Sequence, residues 1–224
     1  MTSLKDPETA AESHSNPEAA LALGQLLLDT GQPLAAIKSF KSAAAGGNST
    51  AMHLLGRMHQ LGWGIPADPV LAADYYNRAC SSGEPWSMFN LAELYLSGSG
   101  VAQSDDEAYR LYALAAKQGN AQSLNMLGMM AEDSRGPEGP EAALDHYLAA
   151  AAAGDGWGCF NAARLLIAQA RIDEAMEWID RSLSEGSPVY LRIVADALID
   201  HEDSRIKKRG VWAETLFKRH ALHD

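Results

Sequence analysis

Apolar side chains recur three and four residues apart along most of this chain, the spacing of one buried helix face rather than of a strand. Met52, Leu55, Gly56 and His59 form such a stripe. Met88, Leu91, Ala92 and Tyr95 repeat it, as do Leu124, Leu127, Gly128 and Ala131, then Cys159, Ala162, Ala163 and Leu166. Between these stripes lie Ala-rich segments, each closed by a glycine, at Gly47, Gly83, Gly119, Gly154 and Gly186, with intervals of 36, 36, 35 and 32 residues. Ala36, Ala72, Ala108, Ala143 and Ala175 each stand eleven positions before that glycine, and four residues beyond them come Phe40, Tyr76, Tyr112, Tyr147 and Ile179. Columns held in register in this way mark an internal repeat of helix pairs.

A lone helix pair cannot hide its own apolar stripe, so neighbouring pairs must stack. The expected fold is all-α, a right-handed α-solenoid of antiparallel helix pairs. A small residue interrupts the first-helix stripe at Gly24, Gly56, Ala92, Gly128 and Ala163. Glycine inside a helix costs about 1 kcal/mol relative to alanine, so its recurrence implies a close helix approach that compensates. Gly62, Gly64, Gly98 and Gly100 break the chain between the two halves, after which Pro66 or Asp105 can open the second helix. The expected organisation is a disordered polar leader over 1–16, five helix pairs (17–49, 50–85, 86–120, 121–155 and 156–187) and a C-terminal pair over 188–224. That last pair would act as a cap, with Val211, Trp212, Leu216 and Phe217 on the apolar side of its second helix.

The run from Leu55 to Ile65, a Leu-Gly followed by a Gly-x-Gly-Ile, continues through Asp68, Ala72, Tyr75, Tyr76 and Gly83 and resembles the Sel-one-like repeat, a longer-looped relative of the tetratricopeptide repeat. Leu91 to Val101, with Ala108, Tyr112, Ala115, Ala116 and Gly119, resembles it nearly as well. The pair from Glu18 has only a short turn at Gly31 to Pro33, and the fourth has Ser134 to Pro137 where the glycine loop would stand. This resemblance implies a non-catalytic adaptor or scaffold, with a regulatory or accessory subunit of an enzyme or assembly system as the alternative.

In such superhelices the first helix of each pair lines the inner surface. That projection gives a groove of His53, Arg57 and Gln60; Phe89, Glu93 and Leu96; Asn125, Met129 and Glu132; and Phe160, Arg164 and Ile167, with Leu21, Gln25 and Leu28 leading. Trp86 and Trp157 take equivalent places beside Phe89 and Phe160. Aromatic and arginine side chains commonly anchor interfaces, which makes this a candidate peptide-holding surface with Arg57 and Arg164 available to a partner's carboxylates. The alternative is that the tryptophans pack between repeats and the two phenylalanines complete the core.

Composition narrows the rest. A hydrophobic content of 47% is enough to fold, and a net charge of −11 disfavours a nucleic-acid surface. Residues 201–224 are the exception, with 6 basic and 4 acidic side chains, able to touch an acidic partner, an anionic membrane or the chain's own acidic body. No apolar run approaches the roughly 18 residues a membrane crossing needs, and the acidic first thirty residues do not resemble a signal peptide, so a cytoplasmic location is expected. Cys80 and Cys159 are read as buried thiols. No cofactor, metal or nucleophile motif occurs. His53 and His59, six apart, point to different helix faces, and the His220 and His223 pair is too slight to hold a metal firmly. The expected partner is therefore a protein or peptide, not nucleic acid, and an enzyme is the least supported class.

Overall fold

A computed structural model describes residues 16–184 and 186–220, so the expected leader lies outside the described residues except for Asn16. The described residues form helices and turns and no strand. Residues 1–111 and 112–224 make two compact units, the boundary falling inside one helix. The first unit holds α1 (Pro17–Asp29), α2 (Pro33–Ala45), α3 (Ser49–Leu61), α4 (Pro69–Cys80), α5 (Pro85–Ser97) and the start of α6 (Asp105–Lys117). The second holds the end of α6, then α7 (Ala121–Glu132), α8 (Ala143–Ala152), α9 (Gly156–Ala168), α10 (Ile172–Leu183), α11 (Pro188–Leu198) and α12 (Ser204–His220). Within the first unit α1 packs on α2 and α3 on α4; within the second α7 packs on α8, α9 on α10 and α11 on α12.

Local chemistry starts and stops these helices. Each glycine that closes a second helix is followed at once by a capping residue for the next first helix. Asn48 accepts from the Ala51 amide at 2.8 Å, Asn120 from Ser123 at 2.8 Å, and Asp155 from Gly158 at 2.7 Å. Glu84 caps Trp86 and Ser87 in the same way, and Ser187 caps Tyr190. These acceptors satisfy amides that would otherwise be orphaned at a helix start. At Gly119, φ is +88° and the Asn120 amide donates back to the Ala115 carbonyl, a Schellman ending that turns the chain directly into its next cap. The helix α6 begins at Asp105 as expected, with Ser104 accepting from the Glu107 amide at 3.2 Å, whereas α4 begins at Pro69 with Asp68 as its cap and not at Pro66, because the loop folds back first. The Asp68 amide donates to the His59 carbonyl at 2.8 Å, and Ser104 to Tyr95 at 3.0 Å. Gly100 lies so close to α4 that a Cβ there would sit 2.2 Å from the Pro69 carbonyl oxygen.

The small-residue column meets the aromatic column. A Cβ on Gly24 would lie 2.4 Å from the Phe40 ring, on Gly56 2.5 Å from Tyr76, and on Gly128 2.6 Å from Tyr147. Phe40, Tyr76, Tyr147 and Ile179 are wholly buried, each in its own pair. The rings thus lie flush against the helix backbone, and the interlock holds each pair together.

One expectation needs correction. The buried side of α12 is Ile206, Gly210 and Ala213, with Leu216 and Phe217 partly covered, whereas Val211 and Trp212 face outward. The reason is contact distance: a Cβ at Gly210 would be 2.5 Å from the Ile199 amide nitrogen, so only this face lets α12 reach the end of α11. In the fourth and fifth pairs, Ser134 (φ 54°) and Ala170 (φ 59°) take the left-handed turn that glycine makes elsewhere. Side chains other than glycine are strained there.

These contacts set opposite signs for two substitutions. Gly128→Ala would gain about 1 kcal/mol by helix propensity alone, but crowding of the Tyr147 ring makes it destabilising by about 1–3 kcal/mol. Ala170→Gly relieves strain and stabilises by about 1 kcal/mol. Urea unfolding of both variants checks the pair.

His59 sits in the core of the first unit, stacked on Tyr75 with ring centroids 5.7 Å apart, and neither ring nitrogen has a hydrogen-bond partner. Burial, aided by Lys41 and opposed by Asp68, holds its pKa below the ordinary 6.5. Protons therefore bind the unfolded chain first. The stability due to neutral His59 is complete above pH 6.5 and falls as the pH drops through that value. His59→Phe keeps the stack and removes the orphaned nitrogens. It should stabilise by on the order of 1–2 kcal/mol at pH 7 and flatten the loss that sets in below the ordinary histidine pKa, measured by thermal melts across pH.

Candidate functional site

In the second unit α7, α8 and α9 enclose an open cleft of about 560 Å³. Five of the expected groove residues line it, Asn125, Met129, Glu132, Trp157 and Arg164. Asp133, Tyr147 and Asn161 complete the lining and were not projected onto the groove. Tyr147 belongs to the core column, but its ring runs under Gly128 and delivers the hydroxyl to the far side, where it donates to Glu132 Oε2 at 2.9 Å. The first unit repeats this device: Tyr76 passes Gly56 and donates to Gln60 at 2.6 Å. In both cases the acceptor lies four residues beyond the glycine, a spacing that could have announced the contact. Asn161 Nδ2 donates to Asn125 Oδ1 at 2.9 Å, linking α9 to α7.

Arg164 is not available to a partner in the way its position suggested. Its guanidinium grips Glu132 with two bonds, Nη1 to Oε1 at 2.9 Å and Nη2 to Oε2 at 2.5 Å. Arg164 and Tyr147 hold the Glu132 carboxyl below its ordinary range, and the carboxylate raises the guanidinium in return. Burial first, and Glu132 second, raise the Tyr147 hydroxyl. All three are thus fixed in their neutral-pH charge states. Arg57 is likewise occupied, lying over the Trp63 ring at 5.1 Å.

The aromatic positions divide. Trp157 is 39% exposed, borders the cleft and stands edge-on to Tyr190 at 4.6 Å. Phe160 and Ile167 pack on the core of the second unit. In the first unit Trp86 is half exposed and meets the half-buried Phe89 edge-on at 6.0 Å, while Glu93 and Leu96 are half-buried.

One cluster in the first unit has the residue types of a hydrolytic triad. Ser87 Oγ and His53 Nδ1 share a 3.1 Å hydrogen bond, and Glu84 lies 3.4 Å from the same nitrogen. A triad needs serine and carboxylate on opposite ring nitrogens and an accessible hydroxyl. Here both partners use Nδ1 and Ser87 is fully buried, so the cluster caps and cements α3 to α5. Burial, partly offset by Glu84, lowers the His53 pKa. Burial pushes the Cys80 thiol up to about 12, out of the reactive range. Among the described residues no three His, Cys, Asp or Glu side chains come together as a metal site, and no helix is long and apolar enough to cross a membrane.

A second opening of about 580 Å³ lies beside α10 and α12, lined by Asp180, Trp212, Leu216 and His220. Its carboxylate is already taken by Arg209, at 2.8 Å. The basic C-terminal region turns inward similarly at Arg205, which reaches Asp173 at 2.6 Å and Asp203 at 2.9 Å.

Comparison with known proteins accounts for this arrangement. The Sel1 repeat family matches residues 49–84, 87–120 and 121–155. Chitin synthase regulatory factor 4 of Schizosaccharomyces pombe is 35% identical over 121 residues, which are 53% of this chain and 19% of that protein. The chain therefore spans about a fifth of the length of this relative. A Sel1 repeat protein from Oxalobacter formigenes superposes with a TM-score of 0.77 at 19% identity, covering 95% of this chain and 91% of the other. The antigen c5321 of uropathogenic Escherichia coli, which displays an SLR fold, gives 0.74 at 22% identity over 92% of this chain and 46% of that one. With helix pairs of this pattern, three matched repeats and the shared fold, the chain is an α-solenoid that carries Sel1 repeats over residues 49–155.

Proposed function

We propose that this chain is a non-catalytic protein-interaction module and that the cleft of the second unit is where it holds a partner. Sel1-repeat proteins generally mediate protein–protein interaction, which supports the class. The observation that carries the site is the convergence of Met129, Trp157, Asn125 and Asn161 on one open concavity beside a locked ion pair. Apolar shelves with a few fixed polar groups suit the recognition of a polypeptide. A regulatory or accessory subunit is the second reading, favoured by the name of the yeast relative, a regulatory factor for chitin synthase. Cys80 and Cys159 are not joined in a disulfide, which fits a reducing compartment, and we assign the module to the cytoplasm.

Met129 is 42% exposed in the cleft, so a charge there meets the partner and not the core. Met129→Glu should reduce recovery of the native partner in quantitative affinity capture by at least about tenfold and leave the thermal midpoint within a few degrees. Val189→Glu, 70% exposed on α11, serves as the control and should recover the partner fully. Equal recovery by wild type and Met129→Glu would remove the cleft from the reading.

A further inference from the structure

If the cleft holds a polypeptide, as proposed above, its chemistry specifies which kind. An amide side chain has one acceptor oxygen and a donor NH₂. When Asn161 donates to Asn125, the pair retains the Asn125 NH₂ as donor and the Asn161 oxygen as acceptor. Exchanging oxygen and nitrogen in both groups gives the same outcome, one donor and one acceptor side by side. That is the complement of a single extended residue, whose N–H and C=O point to one side. Asn125 is 9% exposed and lines the cleft beside Asn161, so an occupant of the cleft meets this amide pair.

Charge narrows the choice further. Glu132 is neutralised by Arg164 and anchored by Tyr147, whereas Asp133 is exposed at the end of α7 with no cation paired to it among the described residues. The ionised groups lining the cleft are therefore Glu132, Asp133 and Arg164, one negative charge in excess. This reverses the expectation of a groove that pairs arginines with a partner's carboxylates. We infer that the cleft binds an extended segment of polypeptide, its backbone held by the Asn125 and Asn161 pair, with a large apolar side chain on Met129 and Trp157 and a lysine or arginine beside Asp133. β-strand-like backbone capture supplies affinity and the flanking side chains supply selectivity.

The test uses the full chain and a phage-displayed library of random heptapeptides, followed by fluorescence anisotropy with synthetic copies of those enriched. Enriched peptides should carry Lys or Arg together with a large apolar residue and lack Asp and Glu. Asn161→Ala should weaken them roughly tenfold, as should N-methylation of the backbone at the central residue. Asp133→Lys is the decisive variant. Position 133 is exposed at a helix C-terminus, where a cation is favourable, so the fold is retained and the selected peptides should change from basic to acidic. Acidic peptides enriched by the wild type would overturn the inference, as would a charge preference unmoved by Asp133→Lys. If Met129→Glu still abolishes binding in that case, the cleft reading stands and only the peptide class is wrong. Peptides indifferent to Met129→Glu, or no enrichment at all, would defeat both.

Discussion

The interaction on which the rest depends is the contact between a glycine in one helix and a ring in the next. With no Cβ at Gly24, Gly56 or Gly128, the Phe40, Tyr76 and Tyr147 rings lie directly on the partner helix. Each ring gains full burial, and each glycine loses helix propensity of about 1 kcal/mol, so packing outweighs propensity. The same contact has a second effect where the ring is a tyrosine. A residue long enough to cross beneath the helix places its hydroxyl on the opposite face, next to the residue four beyond the glycine, Gln60 or Glu132. Core and candidate site are therefore built from one side chain.

Much of the architecture was legible because it is periodic. The glycine, alanine and ring columns announced packed helix pairs, and the described residues form them. What escaped was chemistry with no period of its own. The capping residue after each closing glycine, Asn48, Glu84, Asn120, Asp155 and Ser187, varies in type and is visible only once its function is known. For α12, hydrophobicity favoured Trp212 over Gly210, yet contact distance decided the buried face. In the candidate site the projection found the positions on the first helices but missed Tyr147, which enters from the second helix, and Asn161, one place from Phe160.

The misjudged arginine is informative. A projection of single positions treats Arg164 as free because it considers one helix at a time. Glu132 stands one repeat earlier on the same kind of face, and stacking brings the two within 2.5 Å. Charges on the corresponding faces of adjacent repeats are neighbours in space even when their positions are not equivalent, so a groove charge must be counted with those on the neighbouring repeat. Arg205 with Asp173 and Arg209 with Asp180, about thirty residues apart, follow the same rule.

That rule separates two uses of charge in this protein. Where a cation and an anion occupy neighbouring repeats they neutralise each other, position helices and present little field to a partner; exposed pairs of this sort add at most about 1 kcal/mol each. Where a charge has no counterpart one repeat away, as at Asp133, its field reaches solvent and can select what approaches. A polar pair such as Asn125 and Asn161 behaves differently again, because an amide that bonds its neighbour still has a valence to offer. Specificity in this stack therefore resides in what pairing between repeats leaves over, an unmatched carboxylate and a half-used amide pair, while the matched groups hold the cleft open.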